Sequence, residues 1–284
     1  MDLKNQTIYL TVKDHSVSGE TFQLLLDEKL QLLKTHPQPL AENLGAYYES
    51  DDYISHTDGK RSLFEKLYHT VKQKALRDKI KLVQRFKPSK GALLDIGAGT
   101  GDFLVQAHKS GWSITGIEPS PKAKDIAMAK GIRFADGLSV IEPHSQDVIT
   151  LWHVLEHVPD VQKELSELKR ILKPAGVLIV AVPNFKSYDA QHYGIYWAAY
   201  DVPRHLWHFS KTAIKKLFEV QDMDLVKVLP MKFDSFYVSL LSEKYKTGKI
   251  NFLTGFLTGL KSNIKANQNL EYSSHIYVLK NAKN

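Results

Sequence analysis

The chain has 284 residues, 43% of them hydrophobic and 24% charged, enough to fill one large domain or a domain with an appendage. It has no cysteine, which excludes disulfides and thiolate metal sites; no apolar run nears the ~20 residues of a membrane span, and Met1 to Gln6 lacks a signal peptide's apolar core, so a cytoplasmic protein without membrane attachment is expected. The net charge of +7 comes from scattered lysines rather than a basic block, which favours a solvated surface over nucleic-acid binding.

Thr7 to Val12 has strand character. Glu20 to Leu33 holds a second apolar run, which Pro37 and Pro39 end. These predict a small β-rich or mixed appendage. Tyr47, Tyr48, Tyr53 and His56 then crowd into one short polar stretch. Two readings stand for it: a surface turn with tyrosines docked on the core, or a lid over a half-wet cavity. Appendage and lid together are assigned residues 1–58.

From Arg61 to Phe86 the positions Leu63, Leu67, Val71, Leu76, Ile80 and Val83 follow helical spacing, and Pro88 and Gly91 stop it. Leu93 to Ile96 is an apolar run that passes into Gly97-Ala98-Gly99-Thr100-Gly101-Asp102-Phe103, a strand, turn and helix entry. A dinucleotide turn, G-x-G-x-x-G, wants glycine where Asp102 stands, so a nicotinamide enzyme is disfavoured. Alternation then continues. Ser113 to Ile117 is a predicted strand ending at Glu118-Pro119, and Pro121 to Ala129 a helix. Ile132 to Ala135 is a short strand leading into Asp136-Gly137-Leu138. Asp147 to Trp152 is a strand, Val161 to Leu172 a helix and Val177 to Val182 a strand. Such alternation implies a parallel sheet covered on both faces, with ligands at the carboxyl ends of its strands. That rule gathers Asp95, Glu118, Asp136 and His153.

The D-x-G-x-G-x-G run from Asp95 resembles motif I of the class I S-adenosylmethionine (SAM) methyltransferases. Trp152-His153-Val154-Leu155-Glu156-His157-Val158-Pro159-Asp160 resembles the post-strand motif of small-molecule O-methyltransferases of the ubiquinone-pathway type. Leu172-Lys173-Pro174-Ala175-Gly176 is similar to the turn before their fifth strand. Asp201-Val202-Pro203-Arg204-His205, continuing to Phe209-Ser210, resembles a block found in a broad bacterial subfamily. In some relatives the N-terminal piece resembles a zinc ribbon. Its cysteines would fall at Asp27 and Leu30, so this chain keeps the appendage and lacks that metal.

The resemblance implies a Rossmann-like α/β fold with a seven-stranded, mostly parallel sheet over residues 59–284, carrying a helical insert at about 231–270. It implies SAM as cofactor and S-adenosylhomocysteine as product. Asp95, Gly97, Ala98, Gly99, Gly101 and Phe103 would hold the amino-acid end, and Glu118 with Pro119 the ribose. Asp136, Gly137 and Leu138 would take the adenine, and His153 would face the methyl donor. The acceptor is expected to be a small molecule, with Tyr47, Tyr53, His56, Trp197, Arg204 and His205 around it. Arg204 would clamp an anionic group, and His153 or His205 would act as base. No metal is expected, and the chain is expected to be a monomer or homodimer. Besides the disfavoured nicotinamide enzyme, two alternatives stay open. One is an RNA methyltransferase, disfavoured because no N-P-P-Y-type tetrad follows the fourth strand; the other is a non-catalytic SAM-binding or partner-docking protein.

Overall fold

The computed structural model describes residues 6–40, 42–48 and 63–282. Tyr53 and His56 lie outside them. The described elements are β1 (Gln6–Lys13), β2 (Thr21–Asp27), β3 (Leu32–His36), α1 (Leu63–Phe86), β4 (Ala92–Ile96), α2 (Asp102–Lys109), β5 (Ser113–Ile117), α3 (Pro121–Met128), β6 (Gln146–Trp152), α4 (Val161–Ile171), β7 (Leu172–Pro183), α5 (Tyr188–Tyr193), β8 (Trp207–His208), α6 (Lys211–Glu219), β9 (Met223–Pro230), α7 (Asp234–Thr247), α8 (Phe252–Asn269) and β10 (Ser274–Asn281).

The main sheet has the order β5-β4-β6-β7-β10-β9. Its first three pairings are parallel, and β10 runs antiparallel to both neighbours. The α/β class is as expected, but among the described residues the sheet has six strands rather than seven. Ile132 to Ala135 forms only a single parallel bridge, Phe134 to Gly116 at the edge. Asp136-Gly137 turns the chain away before a ladder can extend. Leu172 to Gly176 is likewise no separate turn. Leu172 already pairs with Gln146, and the stretch before Val177 bulges within β7.

Side chains alternate along these strands, so each strand feeds two cores. Leu94, Ile96, Ile149, Leu151, Leu178 and Val180 face α4 and α6. Leu93, Val148, Val177 and Ile179 face α1, α2 and α3. Ser210 caps α6 with its side chain, 3.0 Å from the Ala213 amide, as its sequence position predicts.

The N-terminal strands form a second, antiparallel sheet, β1-β2-β3-β8, whose last strand comes from residues 207–208. The Thr35 hydroxyl donates to the His205 carbonyl at 2.6 Å, and the Ser210 hydroxyl to the Gln31 carbonyl at 2.7 Å. Val12, Phe22, Leu24 and Leu33 share one apolar cluster with Tyr193, Trp197, Tyr200 and Val202. The appendage is therefore fastened to the chain beyond β7 through both backbone and core. At Asp27, where a zinc ribbon would place a cysteine, the carboxylate accepts the Leu30 amide at 2.8 Å and closes the turn itself.

The insert is a helical hairpin of α7 and α8 in close contact. A β-carbon on Gly259 would lie 2.8 Å from the Ser235 carbonyl oxygen and 2.9 Å from the Phe236 α-carbon. Phe252, Leu253 and Leu257 on α8 are exposed, yet no described helix is long and apolar enough to cross a membrane. Alanine is normally the better helix former by about 1 kcal/mol, whereas wedging two backbones apart costs about 1–3 kcal/mol. Gly259→Ala is therefore expected to destabilise the protein, measured by urea denaturation; a gain in stability would show that the helices separate freely.

Candidate functional site

The glycine turn after β4 uses its glycines for three different reasons. Gly97 (φ +66°) has no room for a side chain, because a β-carbon would fall 2.4 Å from Val154. At Gly101 (φ +76°) it would press on Ala127 and Ile132, both 2.9 Å away. At Gly99 (φ +52°) it would meet nothing within 4 Å. Gly97 and Gly101 thus set the packing of the turn, and Gly99 leaves open space above it. The Gly99 amide donates to Glu118 Oε2 at 2.7 Å, while Glu118 Oε1 accepts the Ser120 amide at 2.9 Å. Ala98 is buried below the turn. Asp102 is satisfied at the helix start by Lys72 and Lys130, each at 2.6 Å. Beyond β5, Pro119 and Asp136 are exposed, and Gly137 again leaves a β-carbon's space empty. Leu138 packs partly into the core.

Asp95 is buried near the end of β4, where Thr150 donates to it at 2.6 Å. Burial pushes its carboxyl up to about 7, against the Thr150 hydrogen bond and the charge of Lys79. Lys79 reaches in from α1, its ammonium 4.3 Å from the centre of the Trp152 ring, which itself meets Phe103 edge-on. Burial lowers the Lys79 pKa, while Asp95 and Asp234 oppose that shift. Sequence reasoning missed both Lys79 and Asp234. Lys79 was legible in principle, since it shares the inward helical face of Leu76, Ile80 and Val83.

His153 sits just past β6 with φ +58°, a left-handed conformation uncommon for a residue with a side chain. Its Nε2 lies 3.0 Å from Asp234 and its Nδ1 3.3 Å from Glu156. Burial would lower the imidazole pKa, but Asp234 and then Glu156 raise it to about 10. The ring is therefore an imidazolium at neutral pH, with both nitrogens engaged. As placed, it has no lone pair with which to take a proton.

Three residues expected around an acceptor are instead built into the framework. The Arg204 guanidinium is buried between Asp14 at 3.0 Å, Asp201 at 2.7 Å and the Tyr47 carbonyl at 2.8 Å. Against its burial, those two carboxylates raise its pKa further, and every arm is committed, so it offers no clamp to a ligand anion. Trp197 is buried and donates to Asp189 at 2.8 Å. Tyr47 donates to Glu20 at 2.6 Å and packs edge-on against Phe22. Of the two readings of the tyrosine stretch, the docked one describes Tyr47.

His205 is buried with its Nδ1 2.9 Å from the Ala199 carbonyl and its Nε2 3.9 Å from Asp201. His157 meets it edge-on, with ring centroids 4.6 Å apart. Burial and the neighbouring His205 hold the His157 pKa down, at about 4. Glu156, His157 and His205 each place one ligating atom within 4.8 Å of the others. No metal is expected from a chain with no cysteine and no acidic cluster after the fourth strand, yet the fold brings these three possible donors together. The third member lies 48 positions further along, where spacing gives no warning.

Residues 68–228 match a sequence profile described as a methyltransferase domain. The chain belongs to that family. A ubiquinone biosynthesis O-methyltransferase of Actinobacillus pleuropneumoniae is 28% identical over 54% of this chain and 72% of its own length. One from Rhodopseudomonas palustris is 27% identical over 54% of this chain and 64% of its own length. Geranyl diphosphate C-methyltransferase of Streptomyces coelicolor A3(2), solved with Mg2+, geranyl diphosphate and S-adenosyl-L-homocysteine, superposes with a TM-score of 0.53. It is 14% identical, covering 80% of this chain and 88% of that one, which shows a shared fold.

The methyltransferase carries two measurable consequences of this geometry. Arg204→Met strands Asp14 and Asp201, so a stability loss of about 3–5 kcal/mol is expected in denaturant titration; a loss below about 1 kcal/mol would mean the clamp carries little. The second consequence concerns His153, whose folded pKa is raised above the usual 6.5. Its pairing contributes in full below pH 6.5 and is lost as pH climbs through about 10. Allowing for solvent screening of a partly exposed ring, the expected loss is on the order of 2 kcal/mol. His153→Asn should therefore lose less stability than the parent between pH 6.5 and 10 when melting curves are compared. Parallel pH profiles would refute the pairing.

Proposed function

We propose that this chain is a SAM-dependent methyltransferase acting on a small-molecule acceptor. The observation that carries the reading is the group of opposite charges below the open glycine turn. SAM presents an ammonium and a carboxylate at one end and a ribose and adenine at the other. Asp95 and Lys79 offer the first end a carboxylate for its ammonium and an ammonium for its carboxylate. Glu118, whose carboxylate is held at the turn by the Gly99 amide, suits the ribose hydroxyls. Asp136, Gly137 and Leu138 lie further along the same edge for the adenine. The similarity to ubiquinone-pathway O-methyltransferases supports an oxygen nucleophile.

In the reaction the acceptor attacks the methyl carbon in line as the carbon–sulfur bond breaks. The sulfonium charge disappears in that step, so a carboxylate against sulfur would favour the reactant over the transition state. Asp95 and Glu118 suit the two ends of the cofactor, away from the sulfur. Positioning then carries much of the rate. His153, doubly paired, serves this better as a fixed wall than as a base. His205, with Nε2 turned away from its carbonyl partner, is the better proton acceptor.

Calorimetry with S-adenosylhomocysteine tests the reading. The parent protein should bind it. Gly99→Trp, which fills the open space over the turn, should abolish binding while circular dichroism stays native. Lys79→Met should weaken binding roughly 10-fold. Unchanged affinity in the Gly99 variant would place the cofactor elsewhere or exclude it.

A further inference from the structure

We propose that Glu156, His157 and His205 form a binding site for one divalent transition-metal cation. The carboxylate supplies the first argument. Glu156 is 1% exposed, and its Oε1 is spoken for by His153, whereas Oε2 is buried with no hydrogen-bond partner. A buried carboxylate oxygen left without a donor is costly, and a cation on it removes that cost.

Ring orientation supplies the second. The Nδ1 of His157 lies 3.0 Å from both the Arg204 carbonyl and the Tyr48 hydroxyl, which can accept as well as donate, and that of His205 lies 2.9 Å from the Ala199 carbonyl. A carbonyl only accepts, so in both rings Nδ1 carries the hydrogen. Each Nε2 is then a bare lone pair. This is the arrangement found around metal-bound histidines, where a backbone carbonyl on one nitrogen fixes the ring and aims the other at the ion. Backbone hydrogen bonds hold the two segments together independently of any ion, the Leu206 amide donating to the Glu156 carbonyl at 2.8 Å.

One ligating atom from each residue falls within 4.8 Å of the rest. Donors on an ion with bonds of about 2.1 Å sit roughly 3.4 Å apart, a closure that small side-chain rotations supply. Asp201 stands beside His205, its free Oδ2 3.9 Å from Nε2, and is placed to complete a fourth position. Two imidazoles with one or two carboxylates suit Zn2+, Co2+, Mn2+ or Fe2+ better than Mg2+, which prefers an all-oxygen shell.

Binding of the cation does not depend on the proposed reaction, but its use in that reaction does. With the ion bound, His205 Nε2 is a ligand and no longer the proton acceptor of the metal-free site; on an acceptor hydroxyl the ion would lower the oxygen's pKa, and the proton would pass to water. The oxygen–methyl bond then forms as the methyl–sulfur bond breaks, and the sulfonium becomes a neutral thioether.

The test titrates Co2+ and Zn2+, each alone, into the chelator-washed full chain. One ion per chain is expected, with the visible absorption bands of Co2+ held by nitrogen and oxygen donors. Glu156→Gln and His205→Ala should each weaken binding at least about 10-fold, whereas His108→Ala, an exposed histidine on α2, should leave it unchanged. Circular dichroism and S-adenosylhomocysteine affinity report folding. Failure of wild-type protein to take up an ion, or undiminished binding in both folded site variants, overturns the proposal. Should a variant not fold, the wild-type stoichiometry and Co2+ spectrum decide it. Loss of homocysteine-product binding with cation binding intact would instead count against the methyl-transfer reading alone.

Discussion

The burial of Glu156 is the constraint on which the site depends. A carboxylate at 1% exposure must be neutralised locally, and the groups around it come both from its own loop and from distant parts of the chain. His153 answers from the same loop and is itself held by Asp234, so the start of α7 is drawn down onto the end of β6. The backbone of Glu156 receives the Leu206 amide, which fixes the segment carrying Arg204 and His205. Its second oxygen has no hydrogen-bond partner, and the two remaining imidazoles each place a nitrogen within 4.8 Å of one of its carboxylate oxygens. One buried charge thus sets the relative placement of the parallel sheet, the helical insert and the 201–210 segment. Burying charge is poor economy for stability, and it is found here at the carboxyl ends of the strands, where a ligand site is expected.

Arg204 performs the corresponding task at the far side of that segment. It joins Asp14 of the first hairpin to Asp201, while the Tyr47 carbonyl closes the third direction. Asp14 also accepts the Ser16 and Ser18 amides, so the hairpin turn and the guanidinium are ordered by the same carboxylate. The second sheet could not keep its position by strand pairing alone, since β8 contributes only two residues to it. The buried ion pairs and the shared apolar cluster supply the rest. Residues 201–210 are therefore a bracket between two sheets as much as a wall of a pocket, and their chemistry-bearing side chains divide accordingly: Arg204 turns to the hairpin and His205 to Glu156.

That division explains what was legible in the sequence and what was not. Alternating apolar runs fix strand and helix order because periodicity reports burial directly, and β4, β5, β6 and α4 lie where that pattern puts them. The glycine turn was legible because positive φ and close approach leave few residue choices. Side-chain direction is another matter. Nothing in Asp201-Val202-Pro203-Arg204-His205 says that the arginine meets Asp14, a partner 190 positions away. The same holds for Trp197, whose indole nitrogen is taken by Asp189 and whose ring is core. Lys79 escaped notice because a lysine within an amphipathic helix reads as its solvated side. The third strand failed for a local reason, being too short before Asp136-Gly137 to pair beyond Phe134.

The charges around the turn also order the two halves of the site energetically. Asp95, raised to about 7 by burial, is poised between its two forms near neutral pH, and the positive charge of Lys79 acts on it. An incoming ammonium on that carboxylate would favour its ionised form, and an incoming carboxylate on Lys79 would favour the ammonium. A zwitterionic ligand therefore stabilises both charged forms at once, whereas a ligand with a single charge must leave one of them buried and unmatched. At the proposed cofactor site, desolvation alone would favour a zwitterion. Lys79 also feels Asp234, and Asp234 holds His153. Lys79, Asp234 and His153 thus form a run of alternating charges that leads from Asp95 to Glu156.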